Sequence, residues 1–263
     1  MSRPAATLLA TSLKMYLDHD RTVAWTREVK AIAARSVAVR RGYAELAVFP
    51  SFPSLPEVAE ILTGVPVTTG GQNMSAEASG PFTGEVSAAT LRQVGCTYVE
   101  IGHAERRRYF GETEAQTRSK VALAVQHGLV PLLCFGESSR GTAEEAAQHC
   151  IDQIASAVAS VPEGTHPDMI LAYEPEWAIG AQDAADPAYI RQVAAAVNAW
   201  AGRRGDLGTV RLIYGGSAKP GLLTALGQEV SGLFLGRFAH DAQAVATILE
   251  EVSGRQRLDS TTH

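Results

Sequence analysis

The chain has 263 residues, of which 46% are hydrophobic, and this is enough to fill the core of one domain of about 250 residues. The net charge is -5, and the Lys and Arg residues are scattered along the chain instead of gathered on one segment, so a nucleic-acid partner is not expected. A small anionic substrate is compatible with this charge, because a local pocket can be positive on an acidic protein.

The cysteine content and the N-terminal sequence indicate an intracellular protein. Cys96, Cys134 and Cys150 are odd in number and have no CxxC spacing, which is typical of reduced thiols in the cytosol. The N-terminal apolar run is too short for a signal peptide or a membrane span. We therefore expect a cytoplasmic location and no membrane partner.

Short apolar runs alternate with segments of helical periodicity along the chain. The runs predicted as strands are residues 8–15, 44–50, 65–73, 97–103, 129–137, 168–175, 210–216 and 230–236, and the clearest helical segments are 21–37, 119–128 and 242–251. This repeat predicts a single (β/α)8 barrel domain over residues 1–263, with a doubly wound open sheet as the alternative. The polar segment 253–263 is predicted to fray.

In such a barrel the active site lies at the carboxyl ends of the strands. The residues that this rule selects are Lys14, Asn73, His103, Glu105, Glu137, Glu174, Gly215, Gly216, Ser217, Gly236 and Arg237. They combine acids, a histidine, a lysine and two glycine-containing turns. The set predicts proton transfer on a phosphorylated compound.

Glu174 ends the sixth predicted strand and is followed by Pro175. Taken alone it could be an exposed turn acid. The segment WAIGAQDAAD that follows has the composition of a mobile lid. A carboxylate under a lid loses contact with water and becomes a usable base near neutral pH.

His103 and Lys14 are candidates for stabilising a developing negative charge. His103 precedes a predicted helix, and a helix N-terminus disfavours the imidazolium form, so we expect a neutral hydrogen-bond donor. A histidine bonded to backbone is the structural alternative. Lys14 in the barrel mouth must pair with an anion, either the substrate or a neighbouring carboxylate, and the two are compatible.

The segments YGGSAKP (214–220) and LGRF (235–238) are glycine turns after the seventh and eighth strands. Barrels often bind phosphate between these two loops, with backbone N–H groups as donors. Their positions predict a phosphate site.

The motifs LKM, GQN, PFTGE, IGHAERR, HGLVPLLCFGE, AYEPEWAIG, YGGS and LGR resemble the triosephosphate isomerase family, in its order and spacing and over nearly the whole chain. The resemblance implies a (β/α)8 fold, a homodimer and no metal or organic cofactor. It also implies that Glu174 is the catalytic base, His103 the neutral electrophile and Lys14 the cationic stabiliser.

The same resemblance assigns binding positions. Thr83 in PFTGE matches the loop that reaches into the partner subunit's site. The positions that match substrate or phosphate binding are Ser12, Gly180, Ser217, Gly236 and the backbone of Arg237.

Four positions depart from the family pattern. Ser12 replaces the asparagine of NWKM, Ala104 replaces the serine of GHSERR, AQDAAD replaces a TGK-type lid segment, and Arg237 replaces the second glycine of the eighth loop. If residue 237 required a positive φ, the arginine would cost about 1 to 2 kcal/mol. Smaller residues and an added cation indicate a longer, more hydroxylated substrate than a triose.

This combination resembles the four-carbon branch of the family, the L-erythrulose 1-phosphate isomerases, which form D-erythrulose 4-phosphate. The same three catalytic residues serve the glycolytic triosephosphate isomerase reaction, which is therefore the alternative. A non-catalytic sugar-phosphate sensor is the remote alternative, against which the intact Lys14, His103 and Glu174 argue.

Overall fold

The computed structural model describes residues 6–179 and 184–261, without the side chains of 257–261. Eight parallel strands form a closed barrel in the order β1 to β8. Their bounds are Thr7–Ser12, Ala44–Phe49, Val67–Gly71, Tyr98–Ile101, Val130–Phe135, Met169–Tyr173, Val210–Tyr214 and Gly232–Leu235. Seven strands lie within their predicted runs and β1 begins one residue before its run, so the predicted (β/α)8 barrel is confirmed.

Helices connect and surround the strands. The α-helices, α1 to α10, are His19–Arg35, Val37–Arg40, Leu55–Ile61, Ala88–Gln93, Ala104–Phe110, Glu114–Gln126, Ala143–Val158, Pro187–Ala201, Leu222–Leu226 and Ala242–Thr261, and the short 3-10 segments are Phe52–Ser54, Glu176–Ala178 and Arg237–His240. Helix α10 continues to Thr261, beyond the periodic segment 242–251. The fraying of 253–263 and the single-domain organisation stay predictions. Among the described residues, no helix has the length and apolarity to cross a membrane.

Local sequence signals fix where several helices begin. Thr113 and Thr142 each form a capping box, in which the threonine hydroxyl accepts from the backbone N–H three residues on, and the Gln or Glu there accepts in return. Asp186 caps α8, and Pro187 occupies its first position. These caps start α6, α7 and α8 at positions from which they can pack on the barrel.

The interior of the barrel is filled by side chains. It contains the buried cluster Leu8, Ala10, Ala47, Phe49, Leu132, Cys134, Ile170, Ala172, Ile213 and Phe234. A second and larger apolar cluster lies between the strands and the helices. Because the interior is packed, a ligand has room only at the rim, where the loops leave the strands.

The barrel closes where β8 pairs with β1, with Leu8 opposite Gly232. A Cβ on Gly232 would overlap the backbone carbonyl of Leu8. Only glycine therefore lets these two strands approach to hydrogen-bonding distance at this point.

Replacing Gly232 by Ala is expected to lower the free energy of unfolding by about 1 to 3 kcal/mol or more, since the backbone of β1 must move to admit the methyl group. Urea unfolding followed by circular dichroism measures this. Gly205→Ala is the matched control, because a Cβ there meets no atom within 4 Å. Equal stability of the two variants would contradict the account of closure.

Candidate active site

The structure brings Glu174, His103 and Lys14 together at the carboxyl end of the barrel. His103 Nε2 lies 3.6 Å from Glu174 Oε1, and the charge of Lys14 acts on Glu174. These side chains follow β4, β6 and β1, which are distant in sequence. The barrel therefore assembles the group that the strand-end rule predicted.

Glu174 is buried between two glycines. A Cβ on Gly215 would stand 2.6 Å from Glu174 Cγ, and a Cβ on Gly136 would overlap the Glu174 carbonyl. Burial raises the pKa of the Glu174 carboxyl, although the charge of Lys14 and a hydrogen bond from Cys134 oppose the shift. A buried carboxyl with a raised pKa is a stronger proton acceptor once ionised than an exposed one.

His103 is the N-cap of α5. Its Nδ1 accepts a hydrogen bond of 3.1 Å from the backbone N–H of Glu105. A nitrogen that accepts cannot carry a proton, so the ring is neutral with its proton on Nε2. Nε2 faces Glu174, which makes the imidazole a hydrogen-bond donor toward the site, as the sequence indicated.

Lys14 follows β1 in the left-handed region, with φ of 51°, an uncommon conformation for a residue with a side chain. Its Nζ donates to Glu105 Oε1 at 2.6 Å. Burial lowers the pKa of Lys14. The bond to Glu105 and the charges of Glu105, Glu174 and Glu100 raise the pKa by more than burial lowers it, so the net shift is upward. Lys14 is thus a permanent cation, paired with a carboxylate while it faces the site.

A cavity of about 260 Å³ opens beside these residues. Its walls are Lys14, Tyr16, Glu105, Ile179, the turn 215–219 and the turn 236–238. Both predicted glycine turns therefore face one space, together with Lys14. The Ser217 hydroxyl also donates to the carbonyl of Ala178 at 3.2 Å, which links the β7 turn to the segment after Glu174.

Arg237 begins the 3-10 segment Arg237–His240 after β8. Among the described residues, the positive φ values outside glycine are at Lys14 and His166, so Arg237 carries no such strain. The energetic cost of an arginine at a positive φ therefore does not arise at residue 237. The guanidinium lies 5.8 Å over the ring of Tyr16, at the wall of the cavity.

Ser12 and Ala104, the two residues that are smaller than those of the family pattern, lie at the base of the site. Ser12 is the buried last residue of β1, and its carbonyl accepts a hydrogen bond from His240 Nε2 at 3.3 Å. Ala104 is the first residue of α5, directly after His103. Both therefore adjoin the catalytic candidates.

Glu100 is a buried acid that the motif analysis did not select. It lies on β4 with its Oε1 3.9 Å from His103 Nε2, and its Oε2 has no hydrogen-bond partner among the described residues. Burial raises the pKa of Glu100 to about 7, and the charge of Glu174 adds to this shift, whereas the charge of Lys14 and a hydrogen bond from Ser12 oppose it. The signal that could have revealed it is a carboxylate inside the apolar run YVEI.

Two other residues predicted at the rim, Asn73 and Glu137, form hydrogen bonds with residues of the surrounding structure. Asn73 accepts a hydrogen bond from Lys120 at 2.8 Å. Glu137 accepts from the Trp177 indole at 2.8 Å and from the hydroxyls of Tyr173 and Tyr189, and so fixes the segment after Glu174.

Two further assignments concern loops. Thr83 is exposed on the segment between β3 and α4. Gly180, assigned to phosphate binding, lies outside the described residues. Within 6–179 and 184–261, no group of three or more His, Cys, Asp or Glu side chains is placed to hold a metal ion, and a cofactor-free reaction stays a prediction.

A barrel whose rim combines a buried acid, a neutral imidazole, a lysine and two glycine turns is built for proton transfer on a small phosphorylated compound. The family model described as "Triosephosphate isomerase" matches residues 7–252. The chain belongs to the triosephosphate isomerase family and is a sugar-phosphate isomerase.

Known relatives carry two different names. The chain is 44% identical to L-erythrulose-1-phosphate isomerase of Pectobacterium atrosepticum, with 92% of this chain and 94% of the relative covered. It is 36% identical to triosephosphate isomerase of Leifsonia xyli, with 92% and 95% covered. Triosephosphate isomerase from Bartonella henselae superposes with a TM-score of 0.77 at 30% identity, with 94% and 98% covered.

Glu100→Gln is expected to change how stability depends on pH. Because the folded-state pKa is raised, the unfolded chain ionises first, so the wild type loses stability as pH rises from about 4.5 and stops losing it above about 7. The amide does not titrate, and the variant should gain about 3 kcal/mol over wild type between pH 4.5 and 8. Urea unfolding at both pH values measures this gain, and Glu163→Gln, at an exposed position, is the control.

Proposed function

We propose that this isomerase converts L-erythrulose 1-phosphate to D-erythrulose 4-phosphate, with Glu174, His103 and Lys14 as its catalytic residues. The observation that carries the chemistry is the buried Glu174 carboxyl, 3.6 Å from the Nε2 of a neutral His103. The choice of substrate is supported by the 44% identity to a relative that bears this name and by Arg237 at the wall of the cavity.

In the proposed mechanism, ionised Glu174 removes the proton from C3 of the ketose. The electrons of that C–H bond form the C2–C3 double bond, and the carbonyl oxygen on C2 becomes an enediolate oxygen. The Nε2–H of His103 and the ammonium of Lys14 stabilise this charge. The hydroxyl proton on O3 then moves to O2, and Glu174 returns its proton to C2, which leaves a carbonyl at C3.

Substrate binding is assigned to the rim of the cavity. Backbone N–H groups of the two glycine turns, at Ser217, Gly236 and Arg237, would hold the phosphate, and Gly180 would join them from the segment after β6. Ser12 would contact the other end of the substrate. A segment that covers the bound enediol(ate) would exclude water and prevent loss of the phosphate.

Two alternatives are retained. Triosephosphate isomerase, which converts dihydroxyacetone phosphate to glyceraldehyde 3-phosphate, uses the same three residues and is the name of the 36% identical relative. A sugar-phosphate sensor would need the cavity alone, and the burial of a carboxyl beside a neutral imidazole, at a cost in stability, argues against it.

We propose that the protein acts as a cytoplasmic homodimer. Large apolar side chains are exposed at Met15, Phe82, Tyr109 and Phe110. Phe82, next to Thr83, lines the same 240 Å³ depression as Phe110. A second subunit covering this surface would bury these side chains and place the Thr83 loop near the partner's active site.

Glu174→Gln is expected to lower kcat by at least about a thousandfold and to leave the Kd for a phosphate-bearing inhibitor within a few fold, because the lost group acts in proton transfer. Single-turnover kinetics and calorimetric titration measure the two quantities. Activity within tenfold of wild type would remove Glu174 from the role of base.

The substrate assignment is tested by a coupled assay on L-erythrulose 1-phosphate and dihydroxyacetone phosphate, with wild type and Arg237→Gly. We expect wild type to prefer the tetrulose phosphate, and the variant to lose this preference by roughly tenfold or more, since a charge-assisted hydrogen bond is removed. Wild-type preference for the triose would establish the alternative. Equal losses on both substrates would restrict Arg237 to holding the common phosphate.

A further inference from the structure

Glu100 is a buried ionisable group for which the proposed mechanism has no use. It lies on β4, inside the barrel, with 4% of its surface exposed. Its Oε2 makes no hydrogen bond within the described part of the chain. A buried carboxyl oxygen without a partner is costly, and such groups in native proteins call for a ligand or a catalytic explanation.

Four polar neighbours of Glu100, which are His103, Ser12, Lys14 and Glu174, belong to the candidate active site. Its Oε1 is 3.9 Å from His103 Nε2, the nitrogen that faces Glu174. Ser12, at the end of β1, interacts with the carboxyl through its hydroxyl, and Lys14 and Glu174 act on it by their charge. A substrate oxygen that accepts from His103 Nε2 would lie close to Glu100.

Glu100 lies across the barrel from the turn after β8, because β4 stands opposite β8 in the closed barrel, and the Ser12 hydroxyl reaches the Glu100 carboxyl from β1. The turns after β7 and β8 line the outer cavity together with Lys14, whereas Glu100 and Ser12 are within strands β4 and β1 and do not line it. A substrate anchored by its phosphate at the turns would pass between Lys14 and His103. Its far end would then point toward the Glu100 and Ser12 side chains.

We propose that Glu100 and Ser12 bind the terminal hydroxyl of the substrate, on the carbon beyond the two that exchange the proton. This inference rests on the proposed four-carbon substrate. A triose phosphate has no such carbon, so the pair would act as a specificity determinant that leaves the proton transfer itself unchanged.

The chemistry of the pair suits a hydroxyl ligand. A carboxylate accepts a hydrogen bond from a hydroxyl, and a neutral carboxyl can also donate one, while the Ser12 hydroxyl can do either. Burial raises the pKa of Glu100 to about 7, so both forms are available near neutral pH. Either form gives its Oε2 the partner that it lacks in the protein alone.

The test is a cycle in which the substrate group and the side chain are each removed. The substrates are L-erythrulose 1-phosphate and its 4-deoxy analogue, in which a methyl group replaces the terminal hydroxymethyl group. The enzymes are wild type, Glu100→Leu, Glu100→Gln and Ser12→Ala. Leu132→Val is the matched control, because Leu132 is the buried register partner of Glu100 on β5. The readout is the ratio of kcat/KM for the two substrates.

We expect wild type and Leu132→Val to favour the hydroxylated substrate by at least about tenfold. Glu100→Leu should treat both substrates alike within about threefold, and Glu100→Gln should retain part of the preference. A Glu100→Leu variant that loses activity equally on both substrates would overturn the inference and make Glu100 a positioning residue for His103.

Wild type alone also decides two outcomes, whether or not the variants fold. Equal kcat/KM of wild type for the two substrates would overturn the role of Glu100 while leaving the proposed function intact. Failure of wild type to turn over L-erythrulose 1-phosphate at all would overturn the proposed function, and the inference with it.

Discussion

The position of Glu174 between two glycines is the constraint on which the active site depends. A side chain on Gly136 or Gly215 would occupy the space of the Glu174 carbonyl or of its Cγ. The backbone ladder continues past the strand ends here, since the Glu174 N–H donates to Phe135 and the Gly215 N–H donates to Tyr173, each at 2.8 Å. The carboxyl is therefore held by the barrel itself, and the loops that follow can vary without moving it.

The electrostatics of the site follow from that burial. A carboxyl withdrawn from water has a raised pKa, and an adjacent imidazolium would pair with it and weaken it as a base. The backbone N–H of Glu105 prevents this, because its bond to Nδ1 holds His103 neutral. The cation is Lys14 instead. Its Nζ donates a hydrogen bond of 2.6 Å to Glu105 Oε1, and this bond keeps Lys14 charged without neutralising Glu174 directly. Glu105 thus determines the protonation of both His103 and Lys14.

The relatives of this chain bear names that differ in substrate. The relatives named as triosephosphate isomerase and as L-erythrulose-1-phosphate isomerase are both similar to this chain over more than nine-tenths of its length. Two positions that depart from the family pattern adjoin the proposed catalytic group: Ser12 lies at its base, and Arg237 stacks over Tyr16 at the wall of the cavity. A barrel permits such changes because the rim residues come from separate strands and loops.

The sequence by itself determined the eight strands, the barrel and the positions of Lys14, His103 and Glu174, since apolar periodicity and strand ends are local properties. It did not show that Asn73 and Glu137 bind Lys120 and Trp177, because those partners are far along the chain. Nor did it show the backbone conformations at Lys14 and Arg237, which depend on how the loops pack. Only closure of the barrel placed Glu100 beside Ser12 and His103. Nothing in the local sequence of a strand causes a carboxylate to be buried, because the neighbours that bury it come from other strands.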